Sequence, residues 1–394
     1  MGTLLKGLGY YNYPSIISLY SLMMFAVPYM LPKRPRSDLI SYGIYIGKDK
    51  ELNTPIFWNI YESLNPHALI VGPTGSGKTE LLLALALRIH NIYNVPVVFI
   101  DVKGDILSRL RNREFNFKVI RPGYDPLGLL YPFHVLPKQR ALQLADAITQ
   151  CWYIGHNHKT LSLLYEVLKL SFELCPYPSW DDLITLTRSK AKSHIEASII
   201  QRIFEELEII DPYGNSSHPL MKLKNEIIVF DLRPIPKERA EILNLISLMT
   251  FQDLINKVSA LKPDYKQVVR AVIAIDEIWL ALRSIKHSDL TLSLLRLSRG
   301  YGVSVIMATQ SFRDLGDNWS LYAENVALLA ALSSTSKKFW YEVAEYMKLN
   351  KEDVEKFTTL MTRGDAVVRI LPDPRPILVS VDISDIVQLS KLFE

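Results

Sequence analysis

The stretch Ala68–Glu80, which reads ALIVGPTGSGKTE, decides the fold of this chain. Its first four residues are apolar and predict a buried parallel strand, and an apolar helix pattern follows the stretch. Between strand and helix lies the Walker A pattern, which consists of Gly72, Pro73, Thr74, Gly75, Ser76, Gly77, Lys78 and Thr79, with Glu80 directly after it. A chance glycine-rich turn is the alternative, and the flanking strand and helix disfavour it. This order predicts an α/β protein with a phosphate-binding loop.

The residue types of the loop fit a nucleoside triphosphate and a divalent cation. A loop that wraps phosphates turns its backbone N–H groups inward, and Gly72, Gly75 and Gly77 tolerate the positive φ angles that this requires. The phosphates would then lie at a helix N-terminus. Lys78 is expected to reach the β- and γ-phosphates of ATP, and the Thr79 hydroxyl to enter the coordination shell of Mg²⁺. We therefore expect the loop and Glu80 to bind ATP with Mg²⁺.

Length and composition narrow the class of protein. The chain has 394 residues, of which 48% are hydrophobic, so it can bury a sizeable core and is not a disordered protein. The net charge of +4 suits a nucleic-acid partner without requiring one, since ordinary surface charge explains it equally well. The two cysteines, Cys151 and Cys175, both lie in apolar helical patterns, which supports neither a disulfide framework nor a zinc site.

An uncharged segment precedes the core. Ser15–Leu31 contains seventeen residues without a charge, and Lys33, Arg34 and Arg36 follow at once. This length is near the lower limit for a membrane-spanning helix, and the basic cluster would hold its C-terminal end on the cytoplasmic side. A helix buried in the protein or docked on a partner is the alternative, because Pro28 interrupts the run. We expect a membrane anchor that places the protein on the cytoplasmic side of the cell membrane.

The rest of the pattern divides into an α/β core and an all-helical insertion. Four consecutive helix patterns lie between the two halves of the core, and no strand pattern of comparable strength interrupts them. A β-hairpin formed by Tyr42–Ile46 and Pro55–Ile60 is expected before the Walker strand. We predict an N-terminal anchor or docking segment, a first core part with this leading hairpin, the all-helical insertion and a second core part, with boundaries at 1–38, 39–135, 136–221 and 222–394.

A second apolar strand pattern ends in two carboxylates. Val272–Glu277 reads VIAIDE, which is what a Walker B strand needs at its carboxyl edge. Asp276 would hold Mg²⁺ through water, and Glu277 would orient and deprotonate the water that attacks the γ-phosphate. A pair of acidic residues at the end of a surface strand is the alternative.

Two further segments suggest catalytic side chains. Val303–Gln310, VSVIMATQ, is a buried strand pattern whose final amide, Gln310, is expected to sense the γ-phosphate and position water. Before it, Leu294–Gly302 reads LLRLSRGYG, and Arg299 could act across a subunit interface as an arginine finger. Arg296 competes for that role, and a solvated arginine at a helix end is the alternative.

The loop after the second core strand also faces the expected site. It reads Asp101-Val-Lys-Gly-Asp105, and its glycine lets the chain turn sharply at the carboxyl edge, where ligands bind in such sheets. Lys103 could contact a nucleotide or a nucleic acid, and Asp101 or Asp105 could assist the metal or water. None of these roles follows from the pattern alone.

The combination HALIVGPTGSGKTE, FIDVKGD, IAIDE, LSRGYGVSVIMATQ and GDAVV resembles the HerA/FtsK superfamily of hexameric DNA-pumping ATPases, especially HerA-like and TraG-like conjugation ATPases. The likeness spans about His67 to Val381. It implies a RecA-like core of the ASCE division, a homohexameric ring, ATP bound between neighbouring subunits and DNA in the central channel. By this resemblance Lys78 and Thr79 match the Walker A positions, Asp276 and Glu277 the Walker B pair, Gln310 the sensor glutamine and Arg299 the arginine before the sensor strand.

One departure refines the expected function. HerA itself carries a longer N-terminal β-barrel, whereas an apolar segment and a helical insertion are more similar to conjugation ATPases or to archaeal Ced DNA-import ATPases. The resemblance therefore implies a membrane-associated hexameric motor that couples ATP hydrolysis to DNA translocation, with a membrane channel protein as partner. Single-stranded and double-stranded DNA both remain open as cargo. The alternatives are an assembly or secretion ATPase that never contacts DNA, and a soluble HerA-like DNA-processing translocase.

Overall fold

The computed structural model describes residues 43–384, apart from 114, 153, 155–157, 262–268, 282–288 and 316–318. The predicted N-terminal segment, residues 1–38, with the apolar run Ser15–Leu31 and its basic cluster, lies outside the described residues. Within the described part of the chain, no helix combines the length and the apolar character that crossing a bilayer requires.

Eleven described strands form a single sheet. In chain order they are β1 (Ile44–Asp49), β2 (Pro55–Trp58), β3 (Ala68–Val71), β4 (Val97–Asp101), β5 (Phe117–Ile120), β6 (Ile227–Asp231), β7 (Ala271–Ile275), β8 (Val303–Thr309), β9 (Leu328–Leu332), β10 (Asp365–Ile370) and β11 (Asp373–Val381). Across the sheet the order is β2-β1-β11-β10-β9-β3-β8-β7-β4-β6-β5. The strands from β9 to β5 are parallel, and β10, β11, β1 and β2 add an antiparallel flank. The predicted α/β fold with a mainly parallel sheet is confirmed.

Helices connect these strands. Those described are α1 (Lys78–Tyr93), α2 (Asp105–Arg111), α3 (Pro137–Cys151), α4 (His158–Leu174), α5 (Trp180–Lys190), α6 (His194–Ile210), α7 (Ala240–Ser259), α8 (Ile278–Ala281), α9 (Asp289–Tyr301), α10 (Trp319–Glu324), α11 (Lys337–Met347) and α12 (Lys351–Leu360). Helices α3 to α6 follow one another between β5 and β6 without a described strand among them.

The central strands are buried because helices pack against the sheet. Every residue of β3, β4, β7 and β8 is buried, which explains their nearly continuous apolar sequences. Helix α1 packs on β7 and β8, and its residues from Leu81 to Leu87 are at most 1% exposed. Such a helix is apolar on all sides because it lies inside the protein. The phosphate-binding loop is therefore held between two rigid, fully packed elements.

The antiparallel flank contains the predicted hairpin. Strands β1 and β2 pair antiparallel, as the sequence predicts, and β1 also pairs with β11. The hairpin consequently lies at the edge of the sheet, and β11, β10 and β9 separate it from β3. Arg88 of α1 fastens this flank, since its buried guanidinium donates to the Tyr45 carbonyl at 2.7 Å and to an Asp382 carboxylate oxygen at 3.0 Å.

A buried ionic network joins the helices between β5 and β6 to helix α7. Arg140 of α3 donates to both carboxylate oxygens of Asp253 at 2.6 and 3.1 Å, and its side chain is 0% exposed. Arg140 also donates to the backbone carbonyls of Gly128 and Leu129. His218 Nε2 lies 3.0 Å from the same carboxylate. Because α7 packs on β7 and β8, this network connects the helices to the core of the sheet.

Candidate nucleotide site

The Walker A loop leaves the carboxyl end of β3 and enters α1. Gly75 and Gly77 have φ angles of 81° and 103°, so both adopt the left-handed conformation that favours glycine. Gly72 is different, because its φ is outside this range, and the expectation of a positive φ there is wrong. A Cβ at Gly72 would lie 2.7 Å from Ser76 Oγ and 2.9 Å from Leu332 Cβ. Close packing, not backbone conformation, therefore requires a glycine at this position.

Among the described residues, two polar groups of the loop make no hydrogen bond to a residue outside the loop. The Oγ of Ser76 is buried and makes no hydrogen bond within the described chain. The Lys78 amine donates to the Pro73 carbonyl of its own loop at 3.1 Å. Burial lowers the pKa of Lys78, while the nearby carboxylates of Glu277 and Asp276 act in the opposite direction. A cradle with an unsatisfied hydroxyl and an ammonium group folded onto its own carbonyl fits a phosphate ligand.

The predicted metal-binding pair is brought together. Thr79 is the second residue of α1, and its hydroxyl donates to Asp276 Oδ2 at 2.7 Å. Asp276 follows directly after β7 and is 4% exposed, and burial raises the pKa of its carboxyl group while the Thr79 hydrogen bond opposes the shift. A hydroxyl and a carboxylate beside a phosphate loop are hard oxygen donors of the kind that Mg²⁺ prefers. The residues present thus fit Mg²⁺ bound together with a nucleotide.

Glu277 is held by three donors. Lys103 Nζ lies 2.6 Å from its Oε1, and Trp279 Nε1 donates to its Oε2 at 2.6 Å. Gln310 Nε2 lies 3.1 and 3.3 Å from the two oxygens. Burial raises the pKa of the Glu277 carboxyl group, but the hydrogen bonds from Lys103, Trp279 and Gln310 outweigh it and hold the pKa below its ordinary value. The backbone of Glu277 has a φ of 56°, so this side chain is presented from a strained turn.

Gln310 connects this carboxylate to the loop. Strands β3 and β8 are parallel neighbours with Val71 opposite Thr309, so the residue after β8 lies beside the Walker A loop. The Thr74 hydroxyl donates to Gln310 Oε1 at 3.3 Å. A continuous hydrogen-bonded path thus runs from the loop through Gln310 to Glu277. Such a path allows the amide to respond to what the loop binds.

Three predicted residues have contacts of a different kind. The Glu80 carboxylate forms ion pairs with Arg109 and Arg113 at 2.6 and 2.7 Å, so its contacts tie α1 to α2 instead of reaching the phosphate cradle. Asp101 is buried, and its carboxylate accepts the backbone N–H groups of Gly104 and Leu107, which fixes the start of α2. The Asp105 carboxylate oxygen Oδ1 lies 3.5 Å from the Arg109 guanidinium nitrogen Nη1. These contacts give Glu80 and Asp101 structural roles.

Arg299 lies at the opposite end of the sheet. It is exposed in the last turn of α9, which precedes β8, whereas Gln310 and the Walker A loop are at the carboxyl ends of their strands. Burial, with a smaller contribution from the Arg299 charge, lowers the pKa of His67 to about 3, and His67 immediately precedes β3. The seven residues of β8 span about 20 Å, so Arg299 cannot reach the Walker A loop of its own chain. Arg296 is also exposed on α9.

Sequence reasoning missed one contact residue and left another undecided. Trp279 lies two residues after Glu277, and its indole N–H is an obvious donor to a nearby acceptor, but no motif marks it. The sequence offers Lys103 as a possible contact to a nucleotide or a nucleic acid, but it does not predict the ion pair with Glu277, which depends on the adjacency of β4 and β7. That adjacency follows from strand order, which spacing along the sequence does not give.

Together the parallel sheet, the loop and the converging carboxylates define a P-loop nucleotide-binding protein. The chain belongs to the AAA-like domain family, which its residues 61–371 match. It is 32% identical over 365 residues to the DNA import protein CedB of Sulfolobus acidocaldarius, a match that covers 92% of this chain and 60% of CedB. The chain therefore spans about 60% of the length of that curated relative.

Solved structures share the fold. VirB4 of Thermoanaerobacter pseudethanolicus matches with a TM-score of 0.69 and 15% identity, over 89% of this chain and 98% of that chain. The plasmid coupling protein TrwB in complex with the ATP analogue ADPNP matches with a TM-score of 0.58 and 17% identity, over 81% of this chain and 86% of that chain. The resemblance to conjugation-type and import ATPases that the motifs suggested is thus confirmed for the family and the fold.

Proposed function

We propose that this chain is an ATP hydrolase that works as a DNA-translocating motor. The observation that carries the hydrolase proposal is the convergence of Lys78, Thr79, Asp276, Glu277 and Gln310 at one edge of the sheet, where hydrogen bonds join Thr79 to Asp276 and Gln310 to Glu277. This is the set of groups that phosphoryl transfer to water requires: a phosphate cradle, oxygen ligands for a cation, a base and an amide that positions water.

In the proposed reaction Lys78 and the loop N–H groups hold the triphosphate of ATP. Mg²⁺, when bound through Thr79 and Asp276, supplies positive charge that offsets the charge developing on the phosphate oxygens. Gln310 orients a water molecule, and Glu277 takes its proton as the water oxygen attacks the γ-phosphorus. The bond between the γ-phosphorus and the bridging oxygen breaks, and ADP and inorganic phosphate leave.

The hydrolase proposal is tested by Glu277→Gln. The amide keeps the size of the side chain but cannot accept the proton of water, so turnover should fall by about 10²- to 10⁴-fold while ATP affinity is retained. Glu173→Gln on α4 is the matched control, because this residue lies in the helices between β5 and β6. Hydrolysis by Glu277→Gln at the rate of the control would refute the assignment of Glu277 as the base.

We further propose a homohexameric ring with the nucleotide at the subunit interface. The position of Arg299 supports this, because an exposed arginine about 20 Å from its own loop could act only on the nucleotide of another subunit. The exposed side chains Arg296, Leu297, Arg299 and Tyr301 give α9 a mixed basic and apolar surface of the kind found at interfaces. A shared site also makes hydrolysis depend on assembly.

The proposal that the motor acts on DNA rests on similarity to other proteins. The relative CedB is a DNA import protein, and TrwB is a bacterial conjugative coupling protein. An assembly or secretion ATPase without a DNA partner remains the second candidate, because residues at the site specify ATP chemistry and not cargo. DNA-dependent turnover separates the two, since a motor should be stimulated by DNA and an assembly ATPase should not.

We also propose that the motor is held on the cytoplasmic side of the cell membrane, beside a channel protein. The support is the uncharged run Ser15–Leu31 followed by Lys33, Arg34 and Arg36. Membrane fractionation of the full chain and of a variant that begins at Ser37 tests this. The full chain should require detergent for release and the shortened chain should not. Recovery of both in the soluble fraction would favour the soluble DNA-processing ATPase.

A further inference from the structure

Lys103 is the charged partner of the proposed base. It lies in the turn between β4 and α2, and its amine is 2.6 Å from Glu277 Oε1. The lysine side chain is 30% exposed and the glutamate side chain only 7%. The pair is therefore partly shielded from water. A shielded ion pair is stronger than one at an open surface.

Both oxygens of the Glu277 carboxylate are occupied. Oε1 accepts from Lys103 at 2.6 Å and Gln310 at 3.1 Å, and Oε2 accepts from Trp279 at 2.6 Å and Gln310 at 3.3 Å. These hydrogen bonds use about all the lone-pair positions that an ionised carboxylate offers, so no position is left to accept a proton from water. Hydrolysis thus requires at least one donor to leave Glu277, and Lys103 is the only cation among the three.

The position of Lys103 also indicates where its amine can go. Glu277, whose Oε1 lies 2.6 Å from the Lys103 amine, also acts electrostatically on Lys78, whose own amine contacts the loop carbonyl of Pro73. Two ammonium groups at one site repel each other, and the terminal phosphate of a bound triphosphate would attract both. A lysine side chain is long and flexible enough to exchange one anionic partner for another.

The backbone at Lys103 is held in place, so the exchange of one anionic partner for another involves only the lysine side chain. Gly104 has a φ of 84°, and its N–H donates to the buried Asp101 carboxylate at 2.7 Å. A Cβ at Gly104 would lie 2.5 Å from Arg233 Cδ, so the turn is also packed against the loop after β6. The motion that frees Glu277 therefore needs no movement of β4 or α2.

We propose that Lys103 is a γ-phosphate ligand that leaves Glu277 when ATP binds. Its amine forms an ion pair with Glu277, and on ATP binding it moves to the terminal phosphate, which frees Oε1 to accept the proton of water. The inference rests on the proposed ATP site. Two consequences follow. The chain distinguishes ATP from ADP by a contact that only the triphosphate offers, and the base Glu277 becomes available only when ATP is bound.

The test compares binding of a non-hydrolysable ATP analogue and of ADP, each with Mg²⁺, to the full chain by calorimetry. In Lys103→Met the affinity for the triphosphate should fall by about tenfold or more, because a charge-assisted hydrogen bond is lost, while the affinity for ADP changes by less than about twofold. Lys103→Arg should restore much of the triphosphate affinity. Lys118→Met, an exposed lysine on β5, is the matched control and should leave both affinities unchanged.

A second readout reports the exchange directly. The Trp279 indole donates to the same carboxylate, so its fluorescence should change when the triphosphate draws Lys103 away and should change less with ADP. The difference between wild type and Trp279→Phe isolates this signal. Equal weakening of ATP-analogue and ADP binding in Lys103→Met, or no weakening of either, would overturn the inference. Because no step of the test requires turnover, a chain that never hydrolyses ATP would refute the proposed function and leave the affinity comparison intact.

Discussion

Replacing Arg140 by Met should destabilise the chain by about 3–5 kcal/mol, which is the usual cost of leaving one member of a buried ion pair without its partner. Arg140 is 0% exposed and donates to both oxygens of Asp253, which is 2% exposed, as well as to two backbone carbonyls. The methionine fills much of the same volume. The cost therefore comes from the uncompensated carboxylate and not from a cavity.

The stability lost in Arg140→Met is expected to depend on pH. In the wild type, burial and the charge of Arg140 lower the pKa of His218, while Asp253 acts in the opposite direction. Without Arg140 one of the lowering influences is gone, so His218 should bind a proton more readily and replace part of the missing charge. The stability lost in Arg140→Met should be largest near pH 7.5, where His218 is neutral, and smaller near pH 5.5.

Urea unfolding followed by circular dichroism measures both effects. Arg202→Met is the control, because Arg202 is 77% exposed and its pair with Glu206 should contribute less than about 1 kcal/mol. The double variant Arg140→Met, Asp253→Leu should recover much of the loss, since it removes both charges. A loss in Arg140→Met no greater than that in Arg202→Met, or one that does not shrink at lower pH, would refute the reasoning.

Two further predictions concern the shared site and a buried acid. Arg299→Ala should bind ATP and assemble but lose about 10³-fold or more in hydrolysis, measured by phosphate release and size-exclusion chromatography, whereas full activity would contradict a finger role. Burial raises the pKa of Asp211 to about 6, against hydrogen bonds from the backbone of residues 127–129. The folded chain therefore binds this proton more tightly than the unfolded chain, and stability should fall as pH rises from about 4 to about 6, by on the order of 3 kcal/mol. Asp211→Asn should flatten that part of the urea stability profile, and an unchanged slope would contradict the shift.

The parts of the site that the sequence predicted are those that local pattern determines. The strand, the Walker A pattern and the helix follow one another directly along the sequence, so Gly75, Gly77 and Lys78 could be identified with their reasons. Gly72 was identified for the wrong reason, because its contact with Leu332 comes from a strand far along the chain. Distant packing of this kind leaves no local signature.

The parts that escaped prediction depend on strand order. Lys103 and Glu277 come together because β4 and β7 are neighbours, and Glu80 turns to Arg109 because α1 and α2 pack side by side. The sequence pattern also did not reveal strand β5, Phe117–Ile120, since only one of its four residues is buried and a lysine interrupts its apolar residues. An edge strand needs little apolar surface, so hydrophobic pattern alone does not reveal it.

The central proposal, that this chain is an ATPase that translocates DNA, is tested most directly by the rate of phosphate release from the full chain with and without DNA, at low and moderate salt. DNA should raise the turnover of the wild type several-fold, and the DNA concentration needed for half the effect should increase steeply with salt, because phosphate contacts release counterions. Glu277→Gln should show no DNA-dependent release. Turnover by the wild type that is unaffected by single- or double-stranded DNA at every salt concentration would contradict the account and favour an ATPase that assembles or secretes other cargo.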